Sequence, residues 1–313
     1  MNRLVLIDGN AILHRAFHAL PPLTAPDGSV VNAVYGFVAI LIKIFHDLKP
    51  THMAVAFDRP EPTFRKSLYK DYQAKRPEME DALSFQIPKV QDVVRSFGIP
   101  MFEAAGWEAD DVIGTVCQKI SGEVIIVTGD KDILQLVDDK KGVKVFMPTK
   151  GLSEGKLFGE QEVIEKMGVT PDQIPDLKAL MGDSSDNYPG VAGIGPKTAV
   201  DLITRYGNIE KLYKSDGLTE KLLKGKGNAF LSKDLATIRT DVPVEMKPFV
   251  PLKTLDTPQV REKLQELHFP SLVKRLTGSN DGRIGREEDP PSSRRAGLRR
   301  AKEEKAGEQQ DLF

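Results

Sequence analysis

The stretch that decides the fold is GWEADDVIGTVCQKISGEVIIVTGDKD, residues 106–132. Acidic residues stand at both of its ends, and residues 112–117 between them form one apolar helix face. Residues 123–127 are a short β-branched run, typical of a buried parallel strand. One acidic run therefore opens a helix, and the other follows the end of a strand, where ligands bind in open α/β sheets.

These two runs carry five carboxylates, on Glu108, Asp110, Asp111, Asp130 and Asp132. Carboxylates held this close repel one another unless a cation lies between them. Oxygen ligands of this kind suit Mg²⁺ or Mn²⁺ rather than zinc. Acids in the first turn of a helix also cap it, and for residues 108–111 alone capping is an equal alternative.

Two further strands repeat the pattern of an apolar run that ends in an acid. Residues 3–7 lead to Asp8, and residues 52–57 lead to Asp58. A single aspartate in this position can be a helix cap. Three strands that end in Asp8, Asp58 and Asp130 instead predict carboxylates along one edge of one sheet.

The remaining periodicity predicts the other elements of an α/β fold. Strands are expected at residues 100–103 and 143–147, the second a candidate edge strand. Tyr35 and Phe37 are expected in the core, Trp107 at the start of the central helix, and Cys117 as a buried small apolar residue. Helices are expected at residues 11–20, 32–48, 85–97, 160–167, 171–181 and 199–206, with further short ones over 208–276.

The composition, net charge and cysteine count limit the possible functions. The 313 residues are 40% hydrophobic with a net charge of −1, so no global basic field indicates nucleic acid. One cysteine excludes an intramolecular disulfide and a thiolate metal cluster, and fits a reducing cytoplasm. No room for a signal peptide is expected before the first strand, and no apolar run approaches the ~20 residues that cross a bilayer.

Residues 60–90 have weak apolar periodicity, and basic and aromatic residues alternate in them. One interpretation is a solvated charged loop. The other is an arch that grips single-stranded nucleic acid, with cations on phosphates and rings on bases. The position directly after Asp58 favours the arch.

A third acidic loop, residues 182–187, carries Asp183 and Asp186. The glycine-rich run at residues 190–199 follows, and its Lys-Thr pair opens a helix. Backbone amides and a helix N-terminus there can hold a phosphate, with Lys197 adding charge. The Walker spacing of a P-loop is absent. A plain helix–turn–helix packing unit remains the alternative.

From residue 278 the composition turns to Gly, Pro, Ser and mixed charge, which predicts a disordered tail. It ends in Gln309-Gln310-Asp311-Leu312-Phe313, where two apolar residues close a polar stretch. This terminus is either without function or a short linear motif for a partner's pocket.

Several of these motifs occur together in one order. They are residues 6–10, 56–58, 72–77, 108–111, 128–132, 181–187 and 190–199. Over residues 1–275 the chain resembles the 5′-nuclease family, most closely the 5′→3′ exonuclease domain of bacterial DNA polymerase I and its free-standing relatives. The resemblance implies an α/β fold with a PIN-like, mostly parallel sheet flanked by helices, a helical arch and a helix–three-turn–helix subdomain. The domains expected are a nuclease core (1–180, arch at 60–90), a helical DNA-binding subdomain (181–276, helix–hairpin element at 182–206) and a tail (277–313).

The resemblance also implies a set of functional residues. Two or more Mg²⁺ ions, or Mn²⁺ in their place, would be bound by Asp8, Asp58, Glu108, Asp110, Asp111, Asp130, Asp132, Asp183 and Asp186. Catalytic cations would be Lys75, Arg76 and Lys131. Nucleic acid would be bound by Arg15, Tyr72, Lys75, Arg76, Gly190, Gly193, Gly195, Lys197 and Thr198, with K⁺ at the Gly190–Ala199 hairpin. In one departure, Gln73 follows Tyr72 where the family usually has lysine.

The activity implied is structure-specific 5′→3′ exonuclease and 5′-flap endonuclease cleavage of DNA by two metal ions, in replication and repair. The substrates implied are a 5′ flap, a nick or an RNA primer. The enzyme is expected to be a monomer and not to bind a membrane. A non-catalytic flap- or duplex-DNA-binding module and a PIN-type ribonuclease are the rival hypotheses. The terminus is similar to peptides that bind the bacterial sliding clamp, with Gln309, Asp311, Leu312 and Phe313 as expected contacts. The expected location is the bacterial cytoplasm, in association with the nucleoid.

Overall fold

The computed structural model describes residues 3–149 and 155–277. In this part of the chain a six-stranded sheet has the order β3-β2-β1-β4-β5-β6. Strands β1 to β5 are parallel, and β6 is antiparallel to β5. The strands are β1 (Arg3–Asp8), β2 (His52–Ala56), β3 (Met101–Phe102), β4 (Glu123–Val127), β5 (Val143–Pro148) and β6 (Gly155–Phe158).

Thirteen α-helices are found in the described residues, together with two 3₁₀ helices at Asp132–Leu136 and Pro171–Gln173. The first six are α1 (Gly9–Ala19), α2 (Asn32–Leu48), α3 (Phe64–Leu68), α4 (Asp81–Ser84), α5 (Ile87–Ser96) and α6 (Ala109–Lys119). The others are α7 (Glu160–Met167), α8 (Ile174–Met181), α9 (Pro196–Tyr206), α10 (Ile209–Leu212), α11 (Glu220–Ala236), α12 (Pro258–Glu266) and α13 (Pro270–Arg275).

Both faces of the sheet are covered, as continuous apolar strands require. In β1, Leu4 and Leu6 point into one core with α6, α8 and α9. Val5 and Ile7 point into a second core with α1, α2 and α5. The strand order reverses between β1 and β4, and this is the point at which open α/β sheets bind ligands.

The predicted elements are largely confirmed. Helix α2 has the bounds expected from the sequence, and Tyr35 and Phe37 are fully buried in it. Cys117 is buried and free, as expected. The expectation that β5 is an edge strand is wrong, because β6 pairs with it from the outside. Strand β6 was not predicted, since three of its four residues are exposed and give no apolar signal.

The last two helices pack against helices from the first part of the chain. After α11 the chain runs in extended form back across the core, and Val242 N donates to Thr115 Oγ1 (3.0 Å) on α6. Helices α12 and α13 then pack against α5 and α2, where the Tyr35 hydroxyl bonds Ser271 Oγ (2.8 Å). Their apolar residues complete the second core.

The arch at residues 60–90 is only partly helical. It consists of the short helices α3 and α4 with turns between them, and most of its side chains are exposed. Within the described part of the chain, no helix is both long and apolar enough to span a bilayer.

Candidate metal centre and nucleic-acid interface

The first group of acids lies at the carboxyl edge of the parallel strands, as the sequence predicts. It consists of Asp8, Asp58, Glu108, Asp110 and Asp130, each of which acts electrostatically on at least one other member. Asp8 ends β1, Asp58 follows β2 and Asp130 follows β4, so the parallel topology brings them together.

Backbone and hydroxyl donors orient these acids. Asp8 accepts from Ala11 N (2.9 Å) and from the buried Thr128 hydroxyl (2.7 Å). Asp58 accepts from Ala109 N (2.7 Å) at the start of α6. These aspartates therefore bind helix N-termini and also lie close together, because those helix N-termini point at the carboxyl edge of the sheet.

Burial and nearby carboxylates raise the pKa values of four members of this group, Asp8, Asp58, Glu108 and Asp110. Burial raises the pKa of Asp8 to about 7, with Asp58 and Asp130 adding to the rise. Burial likewise raises the pKa of Glu108 to about 7, although the Arg65 guanidinium opposes it. Burial, followed by the charges of Asp130 and Asp8, holds the pKa of Asp110 well above its usual range. At Glu108 the effect of burial outweighs that of the nearby Arg65 guanidinium.

The second group is Asp132, Asp183 and Asp186, each of which offers a carboxylate oxygen within 4.8 Å of the others. Asp132 opens the 3₁₀ helix after β4, while the other two lie in the loop after α8. Asp130 connects the groups, because its charge acts on both Asp132 and Asp186.

In the second group a lysine lies between two of the carboxylates. Lys178 on α8 is nearly buried, and its ammonium contacts Asp132 Oδ1 and lies 2.5 Å from Asp183 Oδ2. Burial raises the pKa of Asp132 to about 6 against the pull of Lys178. Burial also opposes ionisation of Asp183, but Lys178 and Ser185 overcome it and lower that pKa.

The donor set fits hard divalent cations. Every side chain in the two groups offers carboxylate oxygen, the ligand type that Mg²⁺ and Mn²⁺ prefer. A divalent cation bound among the first group would favour the ionised form of its carboxylates. The residues able to hold metal are Asp8, Asp58, Glu108, Asp110, Asp130, Asp132, Asp183 and Asp186.

Asp111 is the exception, and its expected metal role is corrected. Arg65 binds both of its oxygens, Nη1 to Oδ2 at 2.6 Å and Nη2 to Oδ1 at 2.8 Å. The amides of Glu108 and Arg239 also donate to it, at 3.1 Å and 2.8 Å. Four donors occupy the four lone-pair positions of this fully buried carboxylate, which leaves no oxygen for a metal. The pair instead ties α3 to α6 and to the chain after α11.

The arch residues divide into buried and exposed ones. Tyr72 was expected to stack on a base, but it is only 3% exposed and packs with Tyr188 and Leu235, so its ring faces are not open to nucleic acid. Arg76 is exposed and its charge acts on Asp58, which places it over the first group. Lys75 and Lys131 are exposed as well, and Arg15 on α1 is half-buried.

The Gly190–Ala199 hairpin has the geometry that its glycines predict. Gly190 and Gly193 have φ of 58° and 78°, and a Cβ on Gly190 would lie 2.2 Å from the backbone nitrogen of Gly182. Helix α9 begins at Pro196, and Lys197 and Thr198 are exposed in its first turn, while Gly195 is exposed just before it. The helix N-terminus is therefore open to an anion.

Three residues of the site were missed from the sequence. Lys178 stands in an apolar stretch and Arg65 in the charged arch, and only their partners elsewhere in the sequence reveal their roles. Thr128 bonds both Asp8 and Asp130 N. In the sequence, the role of Thr128 is indicated only by its position between a strand and an acidic residue. The predicted partner residues at the C-terminus, Gln309 to Phe313, lie outside the described residues.

Comparisons with known proteins agree with this geometry. Two family models match in order: the N-terminal resolvase-like domain of 5′–3′ exonucleases at residues 3–168, and their C-terminal SAM-fold domain at residues 169–263. A 5′–3′ exonuclease of Aquifex aeolicus is 37% identical over 282 residues, which cover 88% of this chain and 96% of that protein.

DNA polymerase I of Caldicellulosiruptor bescii is 43% identical over 284 residues, and that of Bacillus subtilis 42%. The match covers 88% of this chain but 33% and 32% of those polymerases, so the chain spans about a third of their length.

Solved structures share the fold. T5 5′-exonuclease with bound zinc has a TM-score of 0.62 at 21% identity, over 88% of this chain and 99% of that one. Flap endonuclease-1 from Methanococcus jannaschii has a TM-score of 0.57 at 19% identity, over 88% and 90% of the two chains. The mostly parallel sheet flanked by helices is thus the fold of these nucleases. With both domain models matched in order and a relative at 37% identity covered over 96% of its length, the chain belongs to the 5′–3′ exonuclease family.

Proposed function

We propose that this chain is a structure-specific 5′→3′ exonuclease and 5′-flap endonuclease that acts on DNA and RNA primers with Mg²⁺. The observation that carries the proposal is the arrangement of eight metal-competent carboxylates in two groups connected by Asp130, with the exposed arch residue Arg76 close enough to act on Asp58. The expected setting is replication and repair in the bacterial cytoplasm, at the nucleoid.

Divalent ions bound by the two groups would activate a water and stabilise the leaving 3′-oxygen, which yields 5′-phosphate products. The chain's own cations have a different task. Arg76, Lys75 and Lys131 neutralise the scissile phosphate as negative charge builds on it. Asp8 and Asp58 are held in fixed orientations by the Ala11 and Ala109 amides, so the centre is preorganised.

Duplex DNA would lie against the hairpin. The amides at the start of α9, with Lys197 and Thr198, face solvent and suit a backbone phosphate, with K⁺ completing the contact. A positive φ at Gly193 keeps the turn tight, so the phosphate backbone can approach closely. The duplex and the arch then place the 5′ strand over the acids.

The last five residues are proposed to bind the bacterial sliding clamp. Deleting residues 309–313 should abolish clamp pull-down while cleavage of a flap in isolation is unchanged. Unchanged pull-down would remove this part of the proposal. The nuclease itself is expected to act as a monomer.

The test is a labelled 5′-flap duplex beside single-stranded RNA, each with Mg²⁺ and with EDTA. We expect cleavage of the flap near its junction with Mg²⁺ only. A flap that is bound but not cut with either Mg²⁺ or Mn²⁺ would indicate the non-catalytic module. Preferential cleavage of the single-stranded RNA would indicate the PIN-type ribonuclease.

A further inference from the structure

The base of the arch is bonded directly to the second group of acids. The Gln73 backbone amide donates to the Asp186 carbonyl (2.8 Å), and its side-chain amide donates to Asp186 Oδ1 (3.0 Å). Gln73 has φ of 54°, in the left-handed region that non-glycine residues rarely adopt. One residue of the arch thus orients both the backbone and the carboxylate of Asp186.

The neighbours of these two residues make the connection reciprocal. The Asn187 side-chain amide donates back to the Asp71 carbonyl (2.7 Å), and Asn187 also has a left-handed φ of 57°. The Tyr72 hydroxyl lies 3.4 Å from Asp186 Oδ2 and 3.3 Å from Glu108 Oε2. Residues 71–73 and 186–187 therefore form one joined unit, which we call the arch clasp.

The charge balance shows why a neutral residue suits position 73. With its carboxylates ionised, the second group carries three negative charges against the single positive charge of Lys178. The excess of two negative charges matches one divalent ion. A second cation in contact with Asp186 would halve that excess and weaken attraction for the ion.

We propose that Gln73 is a positioning residue for the second metal ion. Its side-chain amide fixes the orientation of the Asp186 carboxylate. Because Gln73 is neutral, it does not reduce the net negative charge of the second group. Ion binding at the second group and ordering of the arch clasp are then reciprocal, since each stabilises the same arrangement of Asp186. This inference rests on the proposed function, because it assumes that the second group binds metal.

The test is Mn²⁺ titration of the DNA-free protein, followed by the electron paramagnetic resonance signal of free Mn²⁺. The wild type should bind two ions. Gln73→Gly, which accepts the left-handed φ without strain, should weaken one of them about tenfold, the effect of one hydrogen bond to a charged group. Gln73→Lys should weaken the same ion at least as much. Lys70→Ala, an exposed change in the same turn, should leave both affinities unchanged.

A second readout follows the reciprocal effect. Saturating Mn²⁺ should slow hydrogen exchange of the amides at residues 71–76 in the wild type, but not in Gln73→Gly.

Wild-type affinities and wild-type protection in Gln73→Gly would overturn the inference, since a residue needed only for the turn is replaced there at no cost. Fewer than two ions bound by the wild type would overturn the proposed function as well, so the two failures are distinguishable.

Discussion

The two groups of acids are built from the same residue types but solve the repulsion between carboxylates in opposite ways. In the first group, burial raises the pKa values of Asp8, Asp58, Glu108 and Asp110, to about 7 for Asp8. The second group holds Lys178 between Asp132 and Asp183, which lowers the pKa of Asp183. Burial thus favours protonation of the four acids of the first group despite Arg65, whereas Lys178 partly neutralises the second group.

The largest effect expected is on catalysis, from removing a ligand of the first group. Asp130→Asn should lower the cleavage rate by about three orders of magnitude or more, since a displaced ion forfeits several kcal/mol of transition-state stabilisation. Single-turnover cleavage of a 5′ flap measures it, with DNA affinity measured separately and expected to change little. Asp216→Asn, an exposed change far along the chain, is the control. Substantial cleavage by Asp130→Asn would contradict the role given to the first group.

The next effect separates Asp111 from both groups. Arg65→Met leaves the Asp111 carboxylate buried without its cation, and should lower the free energy of unfolding by about 3–5 kcal/mol. Denaturant unfolding of the metal-free protein measures this loss. Lys224→Met, which breaks a well-exposed pair with Glu220, should change stability little. Equal stability of the two variants would mean that Asp111 is not a structural anchor.

A charge change in the second group directly tests the difference between the two groups of acids. Lys178→Met removes the internal cation, so Mn²⁺ should bind about ten- to a hundredfold more tightly there, while the metal-free protein becomes less stable. Calorimetric titration gives the affinity and thermal unfolding the stability. Weaker Mn²⁺ binding in this variant would show that Lys178 supports the ion rather than replacing it.

The smallest expected effect is the pH dependence of stability. The folded-state pKa values of Asp8 and Glu108, about 7, and of Asp132, about 6, lie above the values of free carboxyls. The folded protein therefore binds more protons than the unfolded chain between about pH 4 and 7, and metal-free stability falls as pH rises through this window. Melting temperatures in EDTA at several pH values measure the fall. Excess Mg²⁺ should reverse it, since the ion binds ionised carboxylates. A metal-free melting temperature that rises across the window would contradict these shifts.

The sequence predicted what local pattern and parallel topology determine. Strands that end in Asp8, Asp58 and Asp130 must present them at one edge, and the structure has this arrangement. The sequence pattern could not distinguish the role of Asp111 from that of Asp110. Arg65, which binds both oxygens of Asp111, lies 46 residues away on α3.

The solvent exposure of individual side chains was the other property that the sequence pattern did not predict. Tyr72 stands among charged residues and reads as a surface ring, yet it is buried against Tyr188 and Leu235 from the helical subdomain. Helices α12 and α13 have the composition of the preceding helices, so their packing into the second core could not be predicted from the sequence pattern.

The central claim is that the two groups hold two divalent ions. Anomalous diffraction from crystals soaked in Mn²⁺ tests it most directly. The account predicts one peak among Asp8, Asp110 and Asp130, and a second among Asp132, Asp183 and Asp186, with none at Asp111. A single peak beside Asp111, or peaks that avoid both groups, would contradict it.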